Sequence, residues 1–494
     1  MSKRLISMLL VLCMAAAVLA ACGQSGVTDS ESETKETART ESQSETDKET
    51  ETESIYPKIP DSLFGTKDNI VIALAGWANF APLDIPDIGV EELESDTLSM
   101  EAFQRDKWIT EYLGITIETR TKSNIEESTS QIRTMVQTGS SDVDLWLMRS
   151  SAYGQSVIGD LLSPLDRNDL RFFDPGKEWW EQASYDALSV AGLHYGVIGD
   201  FTVADDMTYW NVYFNKEMVR SNDLESPYDL VKSGEWTFDK MYELAESVVT
   251  DTGNPTLDYE DTHGISMIRD VLAGAMNVSG VRIASKDEDD LPVISFYNED
   301  TVDIFNGLCD IFYDQKVVYN CHTQGGDEIG IFTNGSTLFT LGGVYYAPLM
   351  RSTELDFGLL PLPKFDELGS YHGATSPLFL NILSTPKNEN GHDELVSAFM
   401  ELYACEGSRS VVPAFHDKLL RLKVARDEES EEMLDFIFSD TVYDIGAIYN
   451  FGNFSFTFVD MMYTKNRNIT SVWESNKDLV QQDIDEMLDA LNAQ

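Results

Sequence analysis

The 494-residue chain is poor in cysteine, in basic side chains and in long apolar runs. Each scarcity removes a class of function. Its five cysteines show no Cys-x-x-Cys spacing and its six histidines are scattered, so the sequence offers no zinc framework. Cys13 and Cys22 sit near the N-terminus; of Cys309, Cys321 and Cys405, only the first two are close enough in sequence to suggest a local disulfide. Lys and Arg number 35 against 85 Asp and Glu, a formal net charge of −50. Such a chain repels phosphate backbones and anionic headgroups, which argues against a nucleic-acid partner. The acidic excess reads as solvated surface. Apart from the first residues, no apolar segment reaches the about 20 residues of a membrane-spanning helix. Catalytic signatures are missing too: there is no Gly-x-Ser-x-Gly elbow, no His-Glu-x-x-His, no P-loop and no Gly-x-Gly-x-x-Gly after a strand. No catalytic residue, cofactor or metal is therefore expected. The acidic "DEDDLP" at 287–292 lacks the Gly and closing Glu of an EF-hand loop and reads as a solvated loop.

What is present begins with "VLAACGQSG" at 18–26. Lys3 and Arg4 precede an apolar run over residues 5–19, and the small residues Ala20, Ala21 and Cys22 follow. A charged head, a short apolar middle and a small-residue exit are the marks of a secretory signal. Leu19-Ala20-Ala21-Cys22 also resembles the lipobox of bacterial lipoproteins. That resemblance implies that residues 1–22 are a lipoprotein signal peptide and that Cys22 is lipidated. Residues 23–60 follow as an acidic tract of Ser, Thr and Glu with little to bury, expected to be a disordered tether. Thirty-odd residues of this kind reach roughly 30 Å.

The remaining body of about 440 residues exceeds one hydrophobic core, so two lobes are the natural division. "NIVIALAG" (69–76) reads as a buried parallel strand, residues 100–113 as a helix stopped by Gly114, and 115–121 as an alternating strand. A second helix closed by Gly139 and the strand "DVDLWLM" (142–148) continue the alternation. This order predicts an open α/β sheet. Further on, "GLHYGVIGDF" (192–201) predicts a small hairpin. Thr237 is expected to cap a helix whose inner face carries Met241, Leu244, Ala245 and Val248. "GIFTNGSTLFTLGG" and "LDFGLLPLPK" read as paired strands with a helix fragment between them. The last residues form an amphipathic helix.

The ordered phrases "DVDLWLM", "GDLLSPLDRN", "YWNVYFNKEMV", "GEWTFDK", "IFTNGSTLFTLGGVYY", "DFGLLPLPK" and "LSTPKNENGHDELVSAFMELY" carry a resemblance. From about residue 69 to the end, the chain resembles the bacterial extracellular solute-binding proteins of the carbohydrate-transporter class, the group of maltose-binding protein. The resemblance implies an α/β fold of the periplasmic-binding-protein-like type II, with two lobes, a hinge and a cleft. Lobe 1 would comprise 65–207 plus 374–432, and lobe 2 would comprise 208–373 plus 433–494. The chain would cross between them near 205–210, 370–375 and 430–445. The implied partners are a sugar ligand and the membrane permease subunits of an ABC importer. The protein would be a monomer, lipid-anchored at the extracellular face of the cell membrane. A secreted glycoside hydrolase and a binder of a non-sugar solute such as a peptide are the alternatives.

A sugar site needs flat rings for C–H faces and planar polar groups for hydroxyl edges. Ligands in open α/β sheets sit beyond the carboxyl ends of the strands. The candidates at such ends are Trp77 and Asn79 after the first strand, and Arg149 and Ser150 after "DVDLWLM". Asp205 and Asp206 stand at the first implied crossover, and Arg269 follows "GISMI". Tyr345 and Tyr346 follow two glycines, at a place where the resembling sugar binders often carry a stacking Trp. Phe454, in the aromatic cluster 449–458, completes the set. Trp146, Trp179, Trp180, Trp210 and Trp236 are assigned to packing.

Overall fold

The structure, a computed structural model, describes residues 56–75, 87–91, 96–122, 125–253, 261–387, 391–424 and 427–492. Residues 1–55, and with them Cys22 and most of the expected tether, lie outside the described residues, as do Trp77 and Asn79.

β1 (Asn69–Ala75) is the near-continuous apolar run, and Ile70 to Leu74 are all buried. It pairs in parallel with β2 (Thr116–Lys122) on one side and β3 (Leu145–Arg149) on the other. The connecting helices are α1 (Thr97–Leu113) and α2 (Ile125–Thr138). Asp96 caps α1 by accepting from Ser99 N at 3.1 Å, and Gly114 ends it in the left-handed region at φ 67°, a conformation glycine adopts without strain. α3 (Ser150–Ile158) leaves β3 directly. β4 (Leu162–Ser163) and β5 (Gly196–Val197) are short pieces hydrogen-bonded to β13 (Asn381–Pro386), which itself runs antiparallel to β3. The expected hairpin over 192–201 is absent. The turn already closes at Val190–Leu193, and the chain then follows the edge of β13.

The second sheet has the order β10-β7-β11-β6-β12. Its strands are β6 (Trp210–Asn215), β7 (His263–Met267), β10 (Val318–Asn320), β11 (Thr337–Gly343) and β12 (Phe357–Pro361). β11 and β12 do not pair with each other, contrary to the sequence reading; both flank β6 in antiparallel register. Every residue of β6 is buried, as are those of its neighbours β11 and β12. Thr237 caps the helix Phe238–Val248 as expected, accepting from Lys240 N at 3.2 Å, and its four predicted core residues are buried. A separate two-stranded hairpin, β8 (Ala284–Lys286) with β9 (Pro292–Ile294), lies in the chain between helices Val271–Val278 and Glu299–Phe312.

The chain links the sheets through segments lying side by side. Tyr209 bridges Thr375, and Ala374 bridges Val442. Trp210 N donates to Ala374 O at 2.8 Å and Ser376 N to Thr208 O at 2.9 Å. After helix Asp393–Glu406 the backbone widens to i→i+5 bonding over Gly407–Val411 and Ala414–Val424, a rare geometry enriched at functional sites. The next helix, Glu428–Ile437, packs on β12 of the second sheet.

Trp146, Trp179, Trp180, Trp210 and Trp236 are all buried. Trp179 and Trp180 each donate an indole N–H to the Glu401 carboxylate at 3.1 Å. Cys309, Cys321 and Cys405 are free and buried, so the suggested Cys309–Cys321 disulfide is not formed. Among the described residues, no helix is long and apolar enough to cross a membrane.

Candidate functional site

The parallel strands fix where the functional side chains gather. β3 ends at Arg149, β7 leads into Arg269-Asp270, and β11 leads into Tyr345-Tyr346. Because β13 and β6 run antiparallel to their neighbours, their first residues reach the same edges. Asn381 lies opposite Arg149, and Trp210 lies opposite Gly343.

The two edges meet at Arg149 and Asp270, which act on each other electrostatically. The Arg149 guanidinium lies over the Phe379 ring, 4.4 Å from its centroid, and its Nε donates to Leu378 O at 3.2 Å. Burial pulls its pKa down to about 10, against the opposing pull of Asp270. Burial raises the Asp270 carboxyl, while Arg269, His322 and Arg149 hold it down. Arg269 is half-buried; it donates to Asp460 at 2.6 Å and its Nε stands 3.4 Å from Asp270.

Ser150 is spent on structure: its hydroxyl donates to Pro377 O and its N–H to Leu380 O at 2.9 Å. The next residue, Ser151, has a buried hydroxyl with no hydrogen-bond partner. The Trp210 indole N–H and both polar atoms of the Asn211 amide are in the same condition. Unpartnered buried polar groups are costly and uncommon, so their gathering along these edges marks the region as built for more than packing.

Tyr345 and Tyr346 meet edge to face, with centroids 4.7 Å apart, and both are buried. The Tyr346 hydroxyl donates to Glu328. Gly342 and Gly343 are required here, because a Cβ on either would run into the Tyr346 or Tyr345 ring. Tyr345 N donates to Met207 O at 3.1 Å, which ties this corner to the turn carrying Asp205 and Asp206.

That turn is densely acidic. Asp206 accepts from His416 Nε2 at 2.9 Å, and its carboxylate helps to raise the imidazole above its ordinary pKa. Asp205 is buried with Oδ1 unpartnered, and burial lifts its carboxyl well above the usual range. Asp200 is pushed to about 7, by burial first and then by Asp206. Tyr209 and Thr441 share a hydroxyl hydrogen bond of 2.9 Å alongside.

Thus Arg149, Arg269, Tyr345, Tyr346, Asp205 and Asp206 are brought into one region. Phe454 is not: it is fully buried among Phe296, Phe458 and Trp473, with no face left for a ligand. Ser151 stood in the sequence candidate Arg149-Ser150-Ser151, whereas Asp270, Asn211 and Phe379 were missed in the sequence. Asn211 had a signal, as an amide inside the apolar run "WNVYFN". Two surface grooves, of about 610 and 530 Å³, lie elsewhere, beside Arg282 and Asp303 and beside Arg133 and Asp483. Among the described residues, no group of three or more His, Cys, Asp or Glu is placed to hold a metal.

No protein-family model and no curated protein sequence matches the chain. Solved structures do. The galacto-N-biose-/lacto-N-biose I-binding protein of an ABC transporter from Bifidobacterium longum superposes with a TM-score of 0.57 at 15% identity, covering 86% of this chain and 98% of that one. An ABC substrate-binding protein from Listeria monocytogenes in complex with cycloalternan gives 0.53 at 14%, covering 86% and 99%. A maltose/maltodextrin-binding domain from Bdellovibrio bacteriovorus bound to maltotriose gives 0.51 at 14%, covering 85% and 99%. The fold is that of the two-lobed, periplasmic-binding-protein-like α/β proteins.

Proposed function

We propose that the chain is a substrate-binding protein of an ABC importer, lipid-anchored through Cys22 at the extracellular face of the cell membrane, and that it captures an oligosaccharide by lobe closure. The observation that carries this reading is the meeting of two sheet edges at Arg149, Asp270 and Tyr345, lined with unpartnered buried polar groups. The chemistry suits a carbohydrate. Tyr345 and Phe379 offer rings for C–H faces, and Arg149, Asp270 and Asn211 are planar groups that can serve hydroxyls. Trp77 and Asn79 are further candidates from the first strand's end. The similar solved structures, which hold cycloalternan, maltotriose and lacto-N-biose, support the same class of ligand.

The hinge is assigned to the adjoining segments at Tyr209, Ala374-Thr375 and Val442. A ligand shifts a conformational equilibrium only by binding one state better than the other. A sugar touching both edges meets this requirement, since its contacts are complete only while the edges face each other. Nothing in this account calls for covalent chemistry, and the protein is read as a monomeric binder rather than an enzyme. Intrinsic Trp fluorescence titrated with a panel of oligosaccharides tests the proposal. At least one glycan should change the emission and raise the unfolding temperature, with no new reducing ends on incubation. Silence across the panel from a calorimetrically folded protein would overturn the sugar reading.

A further inference from the structure

The acidic segment 287–292 forms the tip of the β8–β9 hairpin: Asp287, Glu288 and Asp289 are exposed, as expected of a solvated loop, whereas Asp290 turns back and bonds to the opposite half of the molecule. The hairpin is seated firmly on the second-sheet side. Its base is held by Asp444, whose carboxylate accepts from Ile283 N at 2.7 Å and Ala284 N at 3.3 Å, and Gly446 packs too closely against the same residues to carry a Cβ. The tip meets residues 186–192, the end of α4 (Gln182–Leu188) and the turn that leads to β5, a strand hydrogen-bonded into the first sheet.

The grip is specific. Asp290 Oδ1 accepts from Ser189 Oγ at 3.0 Å, Oδ2 accepts from Gly192 N at 2.9 Å, and the Asp290 carbonyl accepts from Ala191 N at 3.0 Å. Lys286 pairs with Asp290, donates to Ser189 Oγ at 2.7 Å and reaches the Asp186 carbonyl. Asp290 holds φ at 61°, an uncommon conformation for a residue with a Cβ, so that its carboxylate and carbonyl act together. A charge-assisted hydrogen bond of this kind is stronger than a neutral one. Close by, the Tyr449 hydroxyl donates to Leu188 O at 2.8 Å, a second polar tie across the same divide.

We propose that residues 286–290 are a clasp, a non-covalent link between the two halves that stands apart from the hinge and holds them in the arrangement seen here. Separation of the halves requires Asp290 and Lys286 to release Ser189, Ala191 and Gly192. The clasp thereby sets how often the unliganded protein parts its lobes.

The test uses Asp290→Gly, which deletes the carboxylate while a glycine keeps the left-handed backbone without strain. Spin labels at exposed Thr134 on α2 and exposed Asp303 on the helix Glu299–Phe312 report the distance between the halves by pulsed electron resonance, with no sugar added. The expected result is a longer-distance population in the variant. Its ratio to the short one should rise at least about tenfold, ~1.4 kcal/mol. Lys286→Met, which leaves the backbone of the tip untouched, should move the same ratio in the same direction. An unchanged or contracted distance distribution in the folded variants, with Gly192 N–H exchange accelerated to show that the grip is lost, would overturn the proposal. Because no glycan is present, the outcome is independent of the sugar reading.

Discussion

Single buried carboxyls set the expected response to pH. Glu401 accepts both indole N–H groups of Trp179 and Trp180, and burial raises its pKa from 4.5 to about 7. Asp200 is raised from 3.8 to about 7, also chiefly by burial. A group whose folded pKa lies above its unfolded value contributes stability that is complete below the unfolded pKa and lost as pH rises through the folded one. The window is therefore about 4 to 7, and His416, raised by Asp206 and Asp200, works in the same direction. The unfolding temperature should fall between pH 5 and pH 8 in a calorimetric series, and Glu401→Gln should flatten that slope. A rising profile would contradict this assignment. Arg149 belongs to the same scale. Arg149→Met removes the guanidinium that covers Phe379 and faces Asp270, and oligosaccharide affinity should drop about 10–100-fold, ~1.4–2.8 kcal/mol, in a variant that still unfolds cooperatively. The place of Arg149 at a strand's carboxyl end was legible in the sequence. Asp270 stands beside Arg269 at another such end, yet its importance depends on which of two adjacent side chains turns inward, and no one-dimensional pattern states that. Phe454 packs in a core that the sequence did not distinguish from a cleft, because an aromatic cluster looks alike whether it lines the one or fills the other.

Elements with local signals were readable, and those defined by distant partners were not. The helix Phe238–Val248 announces itself through Thr237 and a 3.6-residue apolar period. Thr237→Ala should cost about 1 kcal/mol in urea unfolding, the usual value of a lost cap. α1 and α2 were equally plain from their closing glycines. The pairing of β11 and β12 with β6 was not plain, since strands adjacent in sequence need not be adjacent in a sheet, and the placing of β6 between them rests on long-range packing. The clasp was hidden for a related reason. A run of four acids predicts solvation unless one can see that Lys286 and the N–H groups of 191–192 await it. Close approach of elements gives another check. Gly154 on α3 faces the backbone of Tyr449 with no room for a Cβ, so Gly154→Ala should destabilise the fold by about 1–3 kcal/mol, as overpacking does. Wild-type stability in that variant would mean that α3 and the 445–451 segment are less tightly apposed than described here.

At the scale of the whole molecule, two sheets present their carboxyl edges to each other, and the linking segments run side by side at Tyr209, Ala374-Thr375 and Val442. That geometry lets one ligand touch both halves at once, which is the physical requirement for coupling capture to shape. The acidic surface favours solubility and discourages polyanionic partners. The alternation of strands and helices was enough to foresee the α/β class, and the order of the motifs foresaw the two-lobed fold; the side chains that face each other across the edges became visible only in three dimensions. The central claim is that a carbohydrate binds between Arg149 and Asp270. Isothermal titration calorimetry of the wild type, Arg149→Met and Asp270→Asn against one oligosaccharide panel tests it most directly. The account predicts measurable heat from at least one glycan with the wild type and its loss in both folded variants; binding that survives both substitutions, or a wild type that binds no glycan at all, would contradict it.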